Sequence, residues 1–253
     1  MPPAVAEFFV FALLLFYYIL WYTYIRKRIG KGGEIMFTKE LIKRYFLLIV
    51  GEFFIGLGIA VSKRSDLGIS PISSVANVLS LRFDFFTVGT WLMLWNCLFI
   101  LIQIAILRKS FKPIQLLQFP VSLLLGVFTD VGVAMVSYIS AESYSERLSL
   151  VLVGMVLISL GITACVISDT IMNVCESFVN VIAKAYNKSF GGIKVLFDVG
   201  CVATSVILSL IFFNGTVVGT REGTLITACL TGFVVKWMTK KLKDPLTKWF
   251  KND

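Results

Sequence analysis

The chain has 253 residues, of which 57% are hydrophobic and 15% are charged, and its formal net charge is +9. Soluble globular domains contain about 45–50% apolar and about 25% charged residues, so this chain has too little polar surface to cover a water-soluble fold. The composition excludes a soluble enzyme, a disordered chain and a disulfide-stapled secreted domain. It predicts an all-α polytopic membrane protein.

The residue types that the chain lacks narrow its chemistry. There is no histidine, which removes the Ser-His and Cys-His nucleophile pairs and the commonest metal ligand. The five cysteines lie in apolar stretches without CxxC spacing, a pattern typical of small packing residues rather than of a zinc or redox site. We therefore expect neither an enzyme nor a bound metal or cofactor.

Apolar stretches long enough to cross a membrane follow one another along the chain. A crossing needs about 20 mostly apolar residues in a helix. Met36 offers an alternative start, so we divide the chain into an N-terminal anchor helix with a basic linker, residues 1–35, and a six-helix transmembrane domain, residues 36–253. Whether 1–35 is dispensable is left open. The seven predicted crossings are 4–24, 45–62, 87–107, 114–138, 148–167, 193–213 and 223–239.

The distribution of Lys and Arg predicts how the chain is oriented. Seven crossings place nineteen of these residues on one side of the membrane and five on the other. The more basic side is cytoplasmic by the positive-inside rule, which puts the C-terminus inside a bacterial cell (plasma) membrane. Because the basic residues then face anionic lipid head groups, we expect the lipid bilayer as a partner and no nucleic acid.

An internal repeat divides the transmembrane domain. A shift of 103 residues places 51–58, which begins and ends with glycine, over 154–161, which does the same, and it places Asp66 over Asp169. Glycines seven apart share one helix face, where they let a neighbouring backbone approach. With three crossings each, the second repeat enters the membrane inverted relative to the first, a plan that recurs in transporters. The repeats are residues 44–138 and 147–240.

Each repeat also contains a short polar segment, 66–82 in the first and 169–186 in the second. The first reaches only about 24 Å as a helix and is interrupted by Gly68 and Pro71. Such a segment suits a re-entrant or interfacial half-helix that lines a cavity. If both segments crossed fully, the Lys and Arg balance would be eighteen to six, and charge alone does not separate the two arrangements.

Polar side chains at membrane depth are the candidate binding residues, because burying them there is costly. Asp66 and Asp169 precede the short segments, where each can cap a helix N-terminus or face a ligand bound at one. Asn173 and Glu176 are three apart and share a helix face, and Asn77 lies on the matching segment of the first repeat. The predicted substrate-binding residues are Asp66, Asn77, Asp130, Asp169, Asn173 and Glu176.

Three further features bear on function. Glu52 is either an interface carboxylate paired with the basic residues at 43–44 or a functional acid. Lys194 and Asp198 are four apart, which favours a structural ion pair on a helix. The segment 218–224, rich in glycine and threonine, is either a turn or a gate on the substrate side.

Two motifs resemble a known family. Gly58-Ile-Ala60 followed by Ser65-Asp-Leu-Gly-Ile-Ser-Pro71 resembles the first-half signature of the YczE/YyaS/YitT-type bacterial integral membrane proteins, a Gly-x-Ala helix that runs into Ala-Asp-Leu-Gly-x-x-Pro-Trp-Asp. Gly219-Thr-Arg-Glu-Gly-Thr-Leu225 resembles their second-half Gly-x-Gly-Thr segment. The Trp-Asp after the proline is absent here. The resemblance covers about 44–240 and implies a multi-pass membrane protein of undefined activity, in a family whose members are often regarded as transporters.

Two functions fit these observations. The first is a transporter, or a substrate-capture subunit of one, that binds a small molecule or ion in a polar cavity between the repeats. The alternative is a non-transporting scaffold or accessory protein, self-associating or serving a partner membrane or biosynthetic system, with its polar groups paired internally and Gly56 and Ala60 exposed to a partner helix. A cavity shared by Asp66 and Asp169 favours transport, and an apolar centre favours the scaffold.

Overall fold

Eight α-helices account for most of residues 39–251, the part of the chain that the computed structural model describes. The predicted anchor helix at 4–24 and its linker lie outside these residues. No β-strand occurs within 39–251, and two short 3-10 helices, Arg108–Ser110 and Pro113–Leu117, join the third and fourth α-helices. The helices are α1 (Lys39–Arg64), α2 (Pro71–Arg82), α3 (Val88–Leu107), α4 (Gln118–Met135), α5 (Tyr144–Ser168), α6 (Val174–Ala185), α7 (Phe190–Phe212) and α8 (Glu222–Lys251).

Five of these helices are long and apolar enough to cross a membrane: α1, α3, α4 with the three residues before it, α5 and α7. They coincide with the five predicted crossings that lie between residues 45 and 213. The all-α membrane class is thereby confirmed, and a lipid bilayer is the environment that such helices fit. α8 is not among the five, because Lys236 and several threonines dilute its apolar part, so the crossing predicted at 223–239 stays a prediction.

α1 and α5 pack against each other along most of their lengths. Gly51 faces Gly161, and a Cβ atom added to Gly51 would lie 2.8 Å from the Gly161 carbonyl oxygen. Gly58 faces Gly154 in the same way, at 2.7 Å. Because the earlier glycine of α1 meets the later glycine of α5, the two helices run antiparallel. Glycine allows this separation since any side chain would collide with the opposite backbone.

Each of these long helices is followed by an aspartate in the left-handed backbone region, Asp66 with φ 56° and Asp169 with φ 49°. Since α1 and α5 are antiparallel, the two aspartates lie at opposite ends of the bundle. We call these ends the Asp66 end and the Asp169 end.

α8 extends from one end of the bundle to the other. Near its start, the backbone N–H of Gly223 donates to the Leu67 carbonyl at 2.9 Å, at the Asp66 end. Near its finish, the Phe250 ring lies 4.7 Å from the Arg44 guanidinium, close to where α1 begins at the Asp169 end. α8 therefore covers the same length of bundle as α1 and α5.

α2 and α6 are much shorter, at 12 residues each. A helix of that size is about 18 Å long, less than the roughly 30 Å hydrocarbon thickness, so neither is long enough to cross. The chain enters α2 from the Asp66 end and α6 from the Asp169 end. Ile72 at the start of α2 packs in one apolar cluster with Val174 and Cys175 at the start of α6. The first turns of the two short helices thus approach each other in the interior.

Candidate functional site

A cavity of about 70 Å³, lined by polar and apolar residues, lies at the Asp66 end, where α1, α2 and the loop before α8 meet. Water occupies about 30 Å³ per molecule in the liquid, so the cavity is the size of a few water molecules or a small ion. We call it the Lys63 cavity. Its lining includes Lys63, Asp66, Gly68, Asn77, Leu81 and Gly219.

The ammonium of Lys63 is held in this cavity by neutral oxygens. It donates to Asn77 Oδ1 at 3.1 Å and to Ser80 Oγ at 3.4 Å. Within residues 39–251, no carboxylate oxygen comes within 4.0 Å of it. The amide nitrogen of Asn77 donates in turn to the Gly219 carbonyl at 3.0 Å. Asp130 interacts electrostatically with Lys63 from beyond ion-pair distance. Because no carboxylate pairs with it directly, the ammonium makes the cavity attractive to an anion.

The two segments that carry the family resemblance close this cavity together. Gly68 and Thr220 form an isolated antiparallel β-bridge, which joins segment 65–71 to segment 219–225. Gly68 has φ 101° and Gly219 has φ 76°, a backbone region that side chains with a Cβ rarely adopt. A Cβ on Gly68 would also collide with the Thr224 hydroxyl. Glycine is therefore required where the two segments meet.

Asp66 reaches the cavity from an exposed position. Its side chain is 76% exposed and forms an ion pair with Arg147 at 3.7 Å.

The expectation that Asp66 and Asp169 cap the short helices is wrong, because Ser70 and Asn173 are the residues at the N-cap positions of α2 and α6. The aspartates lie earlier in the chain, where α1 and α5 have ended, and their left-handed backbone redirects the chain into the interior.

Asp130 joins two helices. Its Oδ2 accepts a hydrogen bond from Thr87 Oγ1 at 2.6 Å, and its Oδ1 accepts one from the Gly89 backbone N–H at 2.9 Å. Both donors lie at the start of α3, where Thr87 is the N-cap and also accepts from the Thr90 N–H. The carboxylate thus satisfies backbone and hydroxyl donors at a helix N-terminus, where negative charge is favourable.

The structure groups the six predicted binding residues only in part. Asp66 and Asn77 line the Lys63 cavity. Asp130 on α4 binds the start of α3 and interacts electrostatically with Lys63. Asp169 is exposed at the opposite end of the bundle from Asp66. The two aspartates therefore do not share a cavity. Asn173 and Glu176 belong to the first turn of α6 and its cap.

Glu52 is a buried acid whose role the sequence left open. It is 0% exposed and lies at the middle of α1. Its Oε1 accepts from the Cys165 thiol at 3.6 Å, while its Oε2 has no hydrogen-bond partner. Pairing at the interface is wrong for this residue, because Arg44 instead binds Glu40 at 2.9 Å and donates to the Ser168 carbonyl.

Glu176 is the second acid with a buried, unpartnered oxygen, its Oε2. It lies in the first turn of α6 and interacts electrostatically with Glu52. The structure therefore brings one acid from each half of the chain into the interior. Within the described range, no group of three or more Cys, Asp or Glu side chains is placed to hold a metal ion.

Amide and hydroxyl side chains near α6 are paired between helices. Gln103 Nε2 donates to Gln118 Oε1 at 3.2 Å, Gln118 Nε2 donates to Ser177 Oγ at 2.7 Å, and Ser177 Oγ donates to Gln103 Oε1 at 2.9 Å. This closed triangle of hydrogen bonds joins α3, α4 and α6.

On α7, Lys194 and Asp198 are 2.6 Å apart, which confirms the predicted ion pair.

Sequence reasoning missed Lys63 and did not select Glu52. Lys63 was counted only among the residues that set orientation, since nothing local shows that Asn77 and Gly219 fold over it. Its position one residue before the basic end of an apolar helix was the available signal. For Glu52, the signal was a carboxylate inside an apolar run, and the neighbouring basic residues made an interface role equally reasonable.

Comparison with known proteins agrees with the motifs. A family model described as a family of unknown function, DUF6198, matches residues 42–240. The uncharacterized protein YyaS of Bacillus subtilis (strain 168) is 28% identical over 193 residues, which cover 76% of this chain and 90% of YyaS. No solved structure matches the chain. The resemblance to YyaS-type proteins is confirmed, whereas the YitT part of the family name gains no support.

Proposed function

The chain belongs to the DUF6198 family, whose function is unknown, and we propose that it is a membrane transporter, or the substrate-capture subunit of one, for a small molecule or ion. The observation that carries the proposal is the Lys63 cavity. Both segments that resemble the family signature meet there around an ammonium whose near partners are neutral. Transporters bind their solutes where two repeats meet, and the Lys63 cavity lies between segments of the two halves, at one end of the bundle rather than at its middle.

An inverted repeat is part of the proposal, and the glycine contacts between α1 and α5 support it. Exchanging the halves by the shift of 103 residues converts Gly51 into Gly154 and Gly58 into Gly161. The contact of Gly51 with Gly161 then becomes the contact of Gly154 with Gly58, which is also present. A pair of contacts that exchange in this way is what a twofold axis generates.

Packing of the other helices supports the same axis. α2 packs against α7, and the equivalent pair under the exchange, α6 against α3, is also in contact. α1 packs against α4 and, equivalently, α5 packs against α8. We propose two inverted three-crossing repeats, 44–138 and 147–240, with α2 and α6 as re-entrant half-helices. Six crossings of residues 36–253 follow once α8 is counted with the five apolar helices.

The proposed membrane is the bacterial cell membrane, with the C-terminus in the cytoplasm. The excess of Lys and Arg lies on the side of the Asp169 end, which the positive-inside rule makes cytoplasmic. The Lys63 cavity then opens toward the outside. Because the cavity is small, a solute larger than a simple ion requires the segment 218–224 to move, which favours the gate interpretation of this segment over a passive turn.

The chemistry of the cavity favours a solute with a negatively charged group. Lys63 provides a charge that Asn77 and Ser80 orient but do not neutralise, and Asp130 interacts with it electrostatically without forming an ion pair. The carboxylate of Asp66 also lines the cavity, but Arg147 lies 3.7 Å from it. An anion in the cavity gains a charge-assisted hydrogen bond from the ammonium, which is stronger than a bond between neutral groups.

The small residues of α1 that a scaffold would expose to a partner helix are buried in the bundle. Gly56 packs against the backbone of Phe128, since a Cβ there would lie 2.7 Å from the Phe128 carbonyl carbon. Ala60 is 1% exposed. The small residues of α1 thus serve packing inside the bundle and offer no face to a partner helix. Transport is proposed on the Lys63 cavity alone, because Asp66 and Asp169 lie at opposite ends of the bundle and do not form the shared cavity expected of a transporter.

A thermal-unfolding screen of the purified protein against small inorganic and organic anions tests the proposal. A ligand at 100 times its Kd stabilises the folded state by about 2.7 kcal/mol. We expect a hit whose affinity falls at least tenfold in Lys63→Met, a variant that keeps the aliphatic part of the side chain. Lys184→Met is the matched control, because Lys184 is exposed on α6.

Two results would count against the Lys63 cavity as a solute site. One is a hit that Lys63→Met binds as well as the wild type does. The other is the absence of any stabilising anion or metabolite together with no solute uptake into proteoliposomes. That result would make a scaffold the favoured function.

A further inference from the structure

Two acids that the Lys63 cavity does not use interact electrostatically in the interior of the bundle. Glu52 belongs to the first half of the chain and Glu176 to the second. Each has an Oε2 atom that is buried and has no hydrogen-bond partner. Orphaned carboxyl oxygens inside a helical membrane domain need an explanation, because burial of polar groups there is costly and marks functional positions.

We propose that Glu52, with Glu176 nearby, forms the proton-binding site of this protein and carries one exchangeable proton. The proton resides on Glu52 Oε2, where its uptake forms an O–H bond and converts a carboxylate into a carboxylic acid. Its release leaves two buried carboxylates that interact electrostatically. Like charges in that position disfavour double ionisation, so the pair holds a proton until a conformational change separates or hydrates it.

The surroundings of Glu52 favour its neutral form. The side chain is 0% exposed and lies beside Leu48 and Ile55, both of which belong to the main apolar cluster. The Cys165 thiol on α5 donates to Oε1, so Oε1 acts as the carbonyl oxygen and Oε2 remains for the proton. Among the described residues, no ion pair is formed by Glu52. An isolated buried carboxylate is therefore replaced by its neutral acid.

The surroundings of Glu176 differ from those of Glu52, because positive charge lies near Glu176. It lies in the first turn of α6, where the partial positive charge of a helix N-terminus stabilises an anion. Lys194 on α7 interacts with it electrostatically. Lys194 also pairs with Asp198, so its charge is only partly available to Glu176. We therefore place the proposed proton on Glu52, the carboxyl group with no positive charge beside it.

The ionisable groups that face the pair come from four helices. Glu52 lies on α1 and is met by the thiol of Cys165 on α5. Glu176 lies on α6 next to the buried thiol of Cys175 and is met from α7 by Lys194 and its partner Asp198. None of these except Lys194 is a cation, so a proton is the charge that best balances the second carboxylate.

The position of the pair connects it to the Lys63 cavity through one helix. Glu52 and Lys63 are 11 residues apart on α1, which corresponds to about 16 Å along the axis. The proton site is therefore separate from the solute cavity. That the proton drives solute movement rests on the proposed function, whereas proton binding by the pair does not.

Infrared spectroscopy of the full-length protein in lipid, titrated with acid and base, tests the proton site. We expect a C=O band of a protonated carboxyl group that Glu52→Gln abolishes. Cys165→Ala should shift this band to higher frequency, because the carbonyl loses its thiol donor. Glu176→Gln should lower the proton affinity of Glu52 by about tenfold, since the nearby negative charge is gone. Glu142→Gln, which alters an exposed acid, is the matched control and should change nothing.

Three outcomes overturn the proposal. The first is a protonated-carboxyl band that Glu52→Gln leaves in place. The second is a titration midpoint that Glu176→Gln does not move, and the third is a band that responds to sodium concentration but not to pH. These results are independent of the anion screen. If Lys63→Met retains solute binding while the carboxyl band behaves as expected, the solute assignment fails and the proton site stands.

Discussion

At the scale of single residues, the most informative side chain is Asn77, because it connects three parts of the chain. Its Oδ1 accepts from Lys63 on α1, and its Nδ2 donates to Gly219 before α8. The residue itself is on α2 and is 4% exposed. One amide thus orients the ammonium of the cavity and holds the segment 219–225 in place.

Asn77→Ala should destabilise the folded protein by about 2–3 kcal/mol. A hydrogen bond to a charged group contributes about 1.5–3 kcal/mol and a neutral one about 0.5–1.5 kcal/mol, and the Gly219 carbonyl is left without its donor. Thermal unfolding in detergent, followed by tryptophan fluorescence, measures the change. Asn180, the residue that the 103-residue shift places on Asn77, provides the matched control, because Asn180→Ala removes an amide at the equivalent position of α6.

A loss in Asn77→Ala no greater than in Asn180→Ala would mean that the two hydrogen bonds contribute little to stability. The residues around the Lys63 cavity could then rearrange.

Sequence reasoning at the level of single residues identified Asn77 and Asp66, because they are polar within apolar surroundings. It did not reach Lys63, because the partner that covers this residue comes from a position 156 residues later, at Gly219. Local sequence carries no information on such a contact.

At the scale of helices, close packing of α1 on α5 depends on glycine. The repeat in the sequence predicted that Gly51 and Gly58 share a face, and both do contact the same helix. The sequence analysis did not predict that the partner glycines are those of the other repeat. It also misassigned the aspartates as caps, because a helix end followed by a left-handed turn and a helix start preceded by a cap have similar residue preferences.

Gly58→Ala should destabilise the protein by about 1–3 kcal/mol, the usual cost of adding a methyl group to a filled contact. The new Cβ would lie 2.7 Å from the Gly154 carbonyl oxygen, and neither backbone has room to withdraw. Gly200→Ala on α7 is the matched control, because nothing lies within 4 Å of a Cβ at that position. There the substitution should stabilise the helix by about 0.5–1 kcal/mol. Equal effects at the two positions, measured by thermal unfolding, would contradict tight packing of α1 on α5.

At the scale of the whole molecule, the lengths of the apolar segments predicted much of the architecture. The length of the apolar segments predicted the number and order of the described long helices, because hydrocarbon thickness sets helix length. Length also predicted that 66–82 and 169–186 contain short helices. The convergence of α2 and α6 toward the interior could not be derived from length, since it depends on how Ile72 and Val174 pack into one apolar cluster.

The inverted arrangement predicts that loops on opposite sides of the membrane follow α4 and α6. Tyr138, just after α4, is 83% exposed, and Tyr186, just after α6, is 70% exposed. The positive-inside rule places Tyr138 outside and Tyr186 in the cytoplasm. In a background without Cys97 and Cys229, the cysteines that are not buried among the described residues, Tyr138→Cys should react with a membrane-impermeant maleimide in intact cells. Tyr186→Cys should react only after the cells are permeabilised. Labelling of both from the same side would mean that the halves are not inverted, and the site between them would lose its structural basis.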